Sequence, residues 1–248
     1  MNKFIKLAGV AALASAALAG SANAEDRAFE WSITVGGTSD YVFRGLSLNN
    51  EEPAAQGSVD MSYGIFYAGA WASNVGVKGD GAYAPMELDL YTGIKPTLGQ
   101  FTFDFGLIGY LYPIADDPGN YLELKAGVST EIFKSLTGGV TFYYTPDQNN
   151  YPKTWTVEGT LAYELPQMHI FTPTLSGTLG YSDDPDNAGA FSALTDNYTY
   201  WNVGLALAVE KFTFDFRYWD TNLDQTPGDT YTGLSDSRFV FSVKATLP

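Results

Sequence analysis

Apolar and polar residues alternate from Gln100 to Tyr112. Phe101, Phe103, Phe105, Leu107 and Leu111 fall on one parity, and Thr102, Asp104, Gly106, Tyr110 and Tyr112 on the other. Period two predicts a strand with one apolar and one more polar face. Strands of soluble proteins usually run about five or six residues, whereas a strand tilted across a bilayer needs roughly 9–11. The same alternation recurs over 29–44, 54–63, 86–95, 120–129, 136–145, 154–163, 170–181, 198–209, 212–221 and 236–247. Residues 66–75 read as a further strand, but their pattern is weak and leaves the outward face open. Pro173 falls inside one stretch and predicts a bulge there, because proline cannot donate to a ladder.

The connections sort by length. Tight turns at Gly64, 96–99, 130–135, 164–169 and 210–211 alternate with longer loops at 45–53, 76–85, 113–119, 146–153, 182–197 and 222–235. A soluble sandwich gives no reason for that regularity. An even-stranded barrel does, with short turns at the periplasmic rim and longer loops outside. The chain therefore reads as all-β, a transmembrane antiparallel up-and-down β-barrel of about 12 strands.

The N-terminus supplies an address. Lys3 and Lys6 precede the Ala/Leu-rich run Leu7–Ala19, and Ala22-Asn23-Ala24 is a small-residue cleavage site. This predicts a secretory signal peptide over 1–24, removed on export, with 25–248 forming the barrel. No apolar run is long enough for a membrane helix. The chain lacks cysteine, and a closed barrel needs no disulfide staples. A formal charge of −15 argues against nucleic acid, whose phosphates demand a basic patch. Together these features place the protein in the outer membrane of a Gram-negative bacterium, in contact with its lipid.

A lipid-facing surface cannot carry charge, so the apolar parity points outward and the charged parity inward. The expected lumen-lining residues are Asp40, Arg44, Asp60, Glu87, Asp89, Asp104, Glu123, Lys125, Glu158, Asp215, Arg217, Arg238 and Lys244. Tyr63, Tyr144, Trp155, Tyr163, Tyr181, Trp201 and Tyr218 lie near strand ends on the outward parity, as membrane-interface aromatics do. Trp71 and Trp219 are candidates for the lumen. Acids outnumber bases inside, which suggests a narrow, water-filled, mildly cation-favouring pore; a salt-bridged, plugged interior is the alternative.

Enzyme chemistry is not expected. The single histidine, His169, falls in a short turn, far from the outer-leaflet position that membrane hydrolases use. One histidine and no cysteine disfavour a transition-metal site, and no cofactor is expected. The carboxylate groups Glu87/Asp89 and Asp183/Asp184/Asp186 allow acid–base or calcium roles, but solvated acids explain them as well.

The stretch Ser39-Asp40-Tyr41-Val42-Phe43-Arg44-Gly45 is similar to the start of the TorF family of proteobacterial porins. Further similarity runs through Gln56–Asp60, Phe66–Val75, Glu87–Tyr91, Tyr110–Pro113, Tyr121–Glu123 and Arg217–Asn222, in order along the mature chain. The resemblance implies an outer-membrane porin barrel and carries over no binding residues. One departure is the end, Leu247-Pro248, where such barrels usually carry an aromatic assembly signal. The expected function is passive diffusion of small hydrophilic solutes or ions through a narrow, net-acidic lumen. The alternative is a non-conducting barrel whose acidic loops bind ions, glycolipid or a partner.

Overall fold

A computed structural model of the chain describes residues 28–248 except 77, 80–81, 84, 116–118, 149–150, 186–196 and 224–232. The expected signal segment 1–24 and Asp186 lie outside the described residues. Twelve long strands form the wall: β1 Phe29–Thr38, β2 Ala54–Tyr63, β3 Phe66–Asn74, β4 Met86–Ile94, β5 Phe101–Leu111 and β6 Tyr121–Phe133. They continue as β7 Leu136–Thr145, β8 Thr154–Glu164, β9 Thr172–Asp183, β10 Asn197–Val209, β11 Phe212–Thr221 and β12 Arg238–Leu247. Each pairs antiparallel with its chain neighbours, and β12 closes on β1 from Ile33–Leu247 to Thr38–Ser242. Closure leaves no edge in this wall. Connections 64–65, 95–100, 134–135, 165–171 and 210–211 gather at one rim with the start of β1 and the end of β12, and the longer ones gather at the other.

Two expectations need correction. The first strand ends at Thr38 rather than Arg44, so Asp40 and Arg44 stand on a loop and not on the wall. The register runs through Pro173 without a shift, pairing it with Leu207. Pro173 lies beyond the last pair with β8, Glu164–Thr174, near a strand start where proline is tolerated. The register shift occurs instead between Glu131 and Phe133 of β6.

The faces separate cleanly. Phe29, Trp31, Ile33 and Val35 of β1 are exposed outward, as are Leu122, Leu124 and Val128 of β6. Inward, Glu87, Asp89, Glu123, Asp215 and Arg217 are all under 6% exposed. The open face of β3 resolves the same way. Tyr67 and Trp71 face inward, while Phe66 points out with Ala68, Ala70 and Ala72 on its parity. Aromatics inside and alanines outside explain why alternation was weak there.

Inward glycines seat large side chains across the ladder. Gly69 lies opposite Tyr91, Gly93 opposite Tyr67, Gly180 opposite Tyr200 and Gly204 opposite Arg217. A Cβ at Gly180 would clash with the hydroxyl-bearing edge of the Tyr200 ring. Outward Gly159 has only the Leu179 carbonyl oxygen nearby, at 4.0 Å. Gly180→Ala should therefore lower unfolding stability by about 1–3 kcal/mol, the usual range for overpacking. Gly159→Ala should be near neutral, and urea unfolding of both variants in the same detergent measures the difference.

Candidate functional site: a hairpin across the barrel mouth

The long-loop end is filled from within by residues 39–53. Val42-Phe43 pairs with Leu46-Ser47 as a small hairpin. Its two turn residues, Arg44 and Gly45, have φ of 49° and 83°. Positive φ at both central positions is the two-residue turn that matches strand twist, and glycine occupies the second place at no steric cost. The hairpin does not join the wall ladder. It lies across the lumen.

Its contacts prove the crossing. The Tyr41 hydroxyl donates to Glu87 of β4 at 2.6 Å. Arg44 Nη2 donates to Glu123 of β6 at 2.9 Å. The Tyr198 hydroxyl of β10 donates to the Arg44 carbonyl at 3.0 Å. A Cβ on Gly45 would meet Tyr200 Cβ of β10 at 2.8 Å and Thr221 Cγ2 of β11 at 2.5 Å. Strands β4 and β10 stand half a circuit apart in the twelve-strand ring. Only a segment spanning the interior can touch both.

Two apolar clusters wedge the hairpin. Tyr41 and Phe43 pack with Ala54, Val75, Tyr110 and Tyr121 on one side. Leu46 packs with Tyr198, Tyr200, Trp219 and Val240 on the other. Tyr110, Tyr121 and Tyr151 stack in sequence, with centroids 4.5 and 3.9 Å apart. The Arg44 guanidinium carbon lies 4.7 Å from the ring centres of both Phe43 and Tyr143. Burial is the largest influence and opposes its charge, but the Glu123 carboxylate together with the Tyr200 and Tyr110 hydroxyls more than offsets it, so the Arg44 guanidinium stays protonated. Burial, then the Glu87 carboxylate, push the Tyr41 hydroxyl well above the usual phenol value, so it stays a donor.

The remaining expected interior residues fall into separate groups. Asp40 accepts from Arg238 at 2.8 Å and from Ser47 at 2.7 Å at the mouth. Arg217 binds Asp215 at 3.0 Å and also reaches Asn202 and Ser176. Asp104 receives Lys125 at 2.9 Å, Lys95 at 3.6 Å and the Tyr67 hydroxyl at 2.8 Å. Lys95 and Tyr67 were not among the sequence candidates. Asp60, Glu87, Asp89 and Glu158 make no ion pair among the described residues. Tyrosine hydroxyls serve three of them: Tyr91 donates to Asp60, Tyr41 and Tyr112 to Glu87, and Tyr200 to Glu158. Asp89 is 2% exposed and its Oδ1 has no hydrogen-bond partner. Lys244 of β12 lies inward near Asp215.

The other candidates are placed as follows. Tyr144, Trp155, Tyr181, Trp201 and Tyr218 ring the outward face at the long-loop end, with Trp155–Tyr181 at 5.4 Å and Trp201–Tyr218 at 5.3 Å. Tyr63 and Tyr163 stand outward at the tight-turn end. Trp71 packs 5.3 Å from Tyr41, and Trp219 is 8% exposed in the second cluster. His169 is a turn residue with φ of 53°. Among the described residues, no group of three or more His, Cys, Asp or Glu could hold a metal ion.

The hairpin itself was missed in sequence. The available signal was Arg44-Gly45 between Val42-Phe43 and Leu46, a glycine-ended pair flanked by apolar residues.

A family model described as "Bacterial protein of unknown function (Gcw_chp)" matches residues 22–247. No curated protein matches the chain. Among solved structures, the chain is similar to the KdgM porin at TM-score 0.58 and 9% identity, covering 88% of this chain and 99% of that one. A second structure of that porin is in complex with disordered oligogalacturonate. The NanC porin is similar at TM-score 0.55 and 14% identity, over 88% of this chain and 100% of that one. At such identities the likeness is one of fold.

The Arg44–Glu123 pair is nearly sealed from water, with side chains 4% and 1% exposed. Glu123→Gln should destabilise the barrel by about 3–5 kcal/mol, because it strands a buried charge. Adding Arg44→Met should restore part of that loss. A double-mutant cycle from chemical unfolding checks both statements.

Proposed function

We propose that this chain, which belongs to the bacterial Gcw_chp family, is an outer-membrane diffusion channel for small hydrophilic solutes or ions. One observation carries the reading: a closed twelve-strand wall is apolar outside and densely charged inside. An outer surface bearing Phe29, Phe66 and Phe239 at 62, 61 and 82% exposure is poorly suited to water and well suited to lipid. Two outward aromatic belts match the two headgroup levels. The N-terminal signal pattern supports export and cleavage. The similarity to TorF porins supports the same function. The KdgM porin, solved with oligogalacturonate, supports passage of small polar solutes through a barrel of this size.

The inner wall changes along its length. Toward the tight turns, Ser32, Thr34, Thr102, Asp104, Thr160 and Thr213 are only half-buried. Toward the long loops, Tyr41, Phe43, Arg44, Tyr198 and Tyr200 are at most 5% exposed. That stopper is the observation favouring the second reading, a non-conducting barrel whose acidic loops engage ions, glycolipid or a partner. Planar-bilayer recording of the refolded protein separates the two. Discrete current steps are expected; a folded barrel that never conducts would leave the second reading.

Cation preference is expected, because Asp60, Glu87, Asp89 and Glu158 make no ion pair among the described residues, while Lys244 and the second of the two lysines that share Asp104 offset only part of their charge. Fixed charge in a narrow pore concentrates the opposite ion, and salt screens it over about 10 Å at 0.1 M. Reversal potentials in a salt gradient should shift toward neutrality with Glu87→Gln plus Asp89→Asn, and an unchanged potential would clear these carboxylates of the role. Leu205→Arg, on the outward face, should cost roughly 2–4 kcal/mol of insertion stability if the site lies near the midplane. Inward Thr102→Arg should cost far less in the same vesicle-folding assay.

A further inference from the structure

The channel reading requires a path past the hairpin, and the way the hairpin is fastened suggests one. Its backbone is paired with itself: Val42 with Ser47, Phe43 with Leu46, and Leu48 N donating to the Tyr41 carbonyl at 2.7 Å. It could therefore leave the mouth without breaking the wall's ladder. The tip is held to opposite walls by side-chain contacts, chiefly Arg44–Glu123, Tyr41–Glu87 and Tyr198 to the Arg44 carbonyl. Near the base, two backbone bonds among the described residues, Ser47 N to the Leu234 carbonyl at 2.8 Å and Gly76 N to the Leu48 carbonyl at 3.0 Å, and the Asp40–Arg238 pair anchor it. The interior toward the tight turns, with Asp104, Lys125 and Tyr67, is polar and would take water once the mouth cleared.

Resting on the channel reading, we infer that the hairpin Val42–Ser47 is the gate of the pore and that Arg44 is its latch and selectivity-determining residue. With the hairpin seated, Glu123 and Glu87 are spent on Arg44 and Tyr41, and the mouth is shut. With the hairpin displaced, both carboxylates face the lumen and join Asp89. The open mouth then carries more negative charge than the closed one, so opening and cation preference are set by the same two contacts.

The absence of native cysteine makes a reversible lock possible. Gly45 and Thr221 lie side by side, a Cβ at Gly45 falling 2.5 Å from Thr221 Cγ2. Gly45→Cys with Thr221→Cys should bridge the tip to β11 on oxidation; the left-handed φ of 83° and the 2.8 Å approach to Tyr200 Cβ strain a cysteine there, so closure of the bridge is verified by loss of free thiols before currents are compared. Single-channel current is recorded from the same molecules before and after a thiol reductant. A second variant replaces 42–47 by Gly-Gly, which can join the already bonded Tyr41 and Leu48. Loss of current on oxidation, recovery on reduction, and persistent opening with several-fold larger conductance in the excised barrel are expected. Equal current in oxidised and reduced protein would overturn the gate and leave the channel standing. Current from the excised barrel alone would make the hairpin a permanent plug, which also overturns it. Silence of all the forms, with folding verified by heat-modifiable electrophoretic mobility, would overturn the channel reading itself. If the excised variant does not fold, the redox comparison within one folded molecule decides alone.

Discussion

Ladder closure is the constraint on which everything else depends. A backbone facing a nonpolar surround has no water to satisfy its N–H and C=O groups, so every strand must find two neighbours. The pairing of β12 with β1 supplies the last of them. Once the sheet is closed, each strand has one face toward the surround and one toward the lumen, and period two sorts the side chains automatically. Residues such as Leu124 and Glu123, adjacent in sequence, are then 47% and 1% exposed in opposite environments.

The inner face must in turn solve a desolvation problem. Carboxylates placed inside the barrel, several of them at 1–6% exposure, need partners, and the barrel uses two kinds. Asp215, Glu123, Asp104 and Asp40 receive a cation. Asp60, Glu87 and Glu158 receive tyrosine hydroxyls. A tyrosine reaching across the lumen side needs room, which the facing glycines provide; Gly69 under Tyr91 and Gly180 under Tyr200 are the clearest pairs. Glycine content, tyrosine content and acidity are thus one design feature rather than three compositional facts.

The wall was legible in the sequence because alternation, strand length and loop sorting are local signals. Strands 54–63, 136–145 and 212–221 fall where the pattern places them, and other boundaries differ by a few residues. What was not legible is what happens when local signals are silent or conflict. Residues 39–44 continue to look strand-like, yet Arg44-Gly45 turns the chain inward, and nothing within seven residues announces Glu123 or Tyr198 as its partners. The face of β3 was hidden because Tyr67 and Trp71 are aromatic and inward. Alternation reports that two faces differ; it does not report which one is packed against a plug. Asp40 and Arg44 stand on a loop, not on the wall as the alternation implied, and that place is what gives them their partners.

Counting inward charges overstates the field a solute would meet. Four acids are each neutralised at 2.8–3.0 Å by Arg238, Arg44, Lys125 or Arg217. Such pairs contribute dipoles, which fall off faster with distance than single charges. The field of the seated barrel therefore comes from the few carboxylates served only by neutral donors, and from Asp89, whose Oδ1 is unserved. Three carboxylates, Glu87, Asp89 and the Arg44-paired Glu123, lie on β4 and β6 beneath the hairpin. The hairpin contributes the one cation among them, so its position determines both how wide the mouth is and how much uncompensated charge lines it.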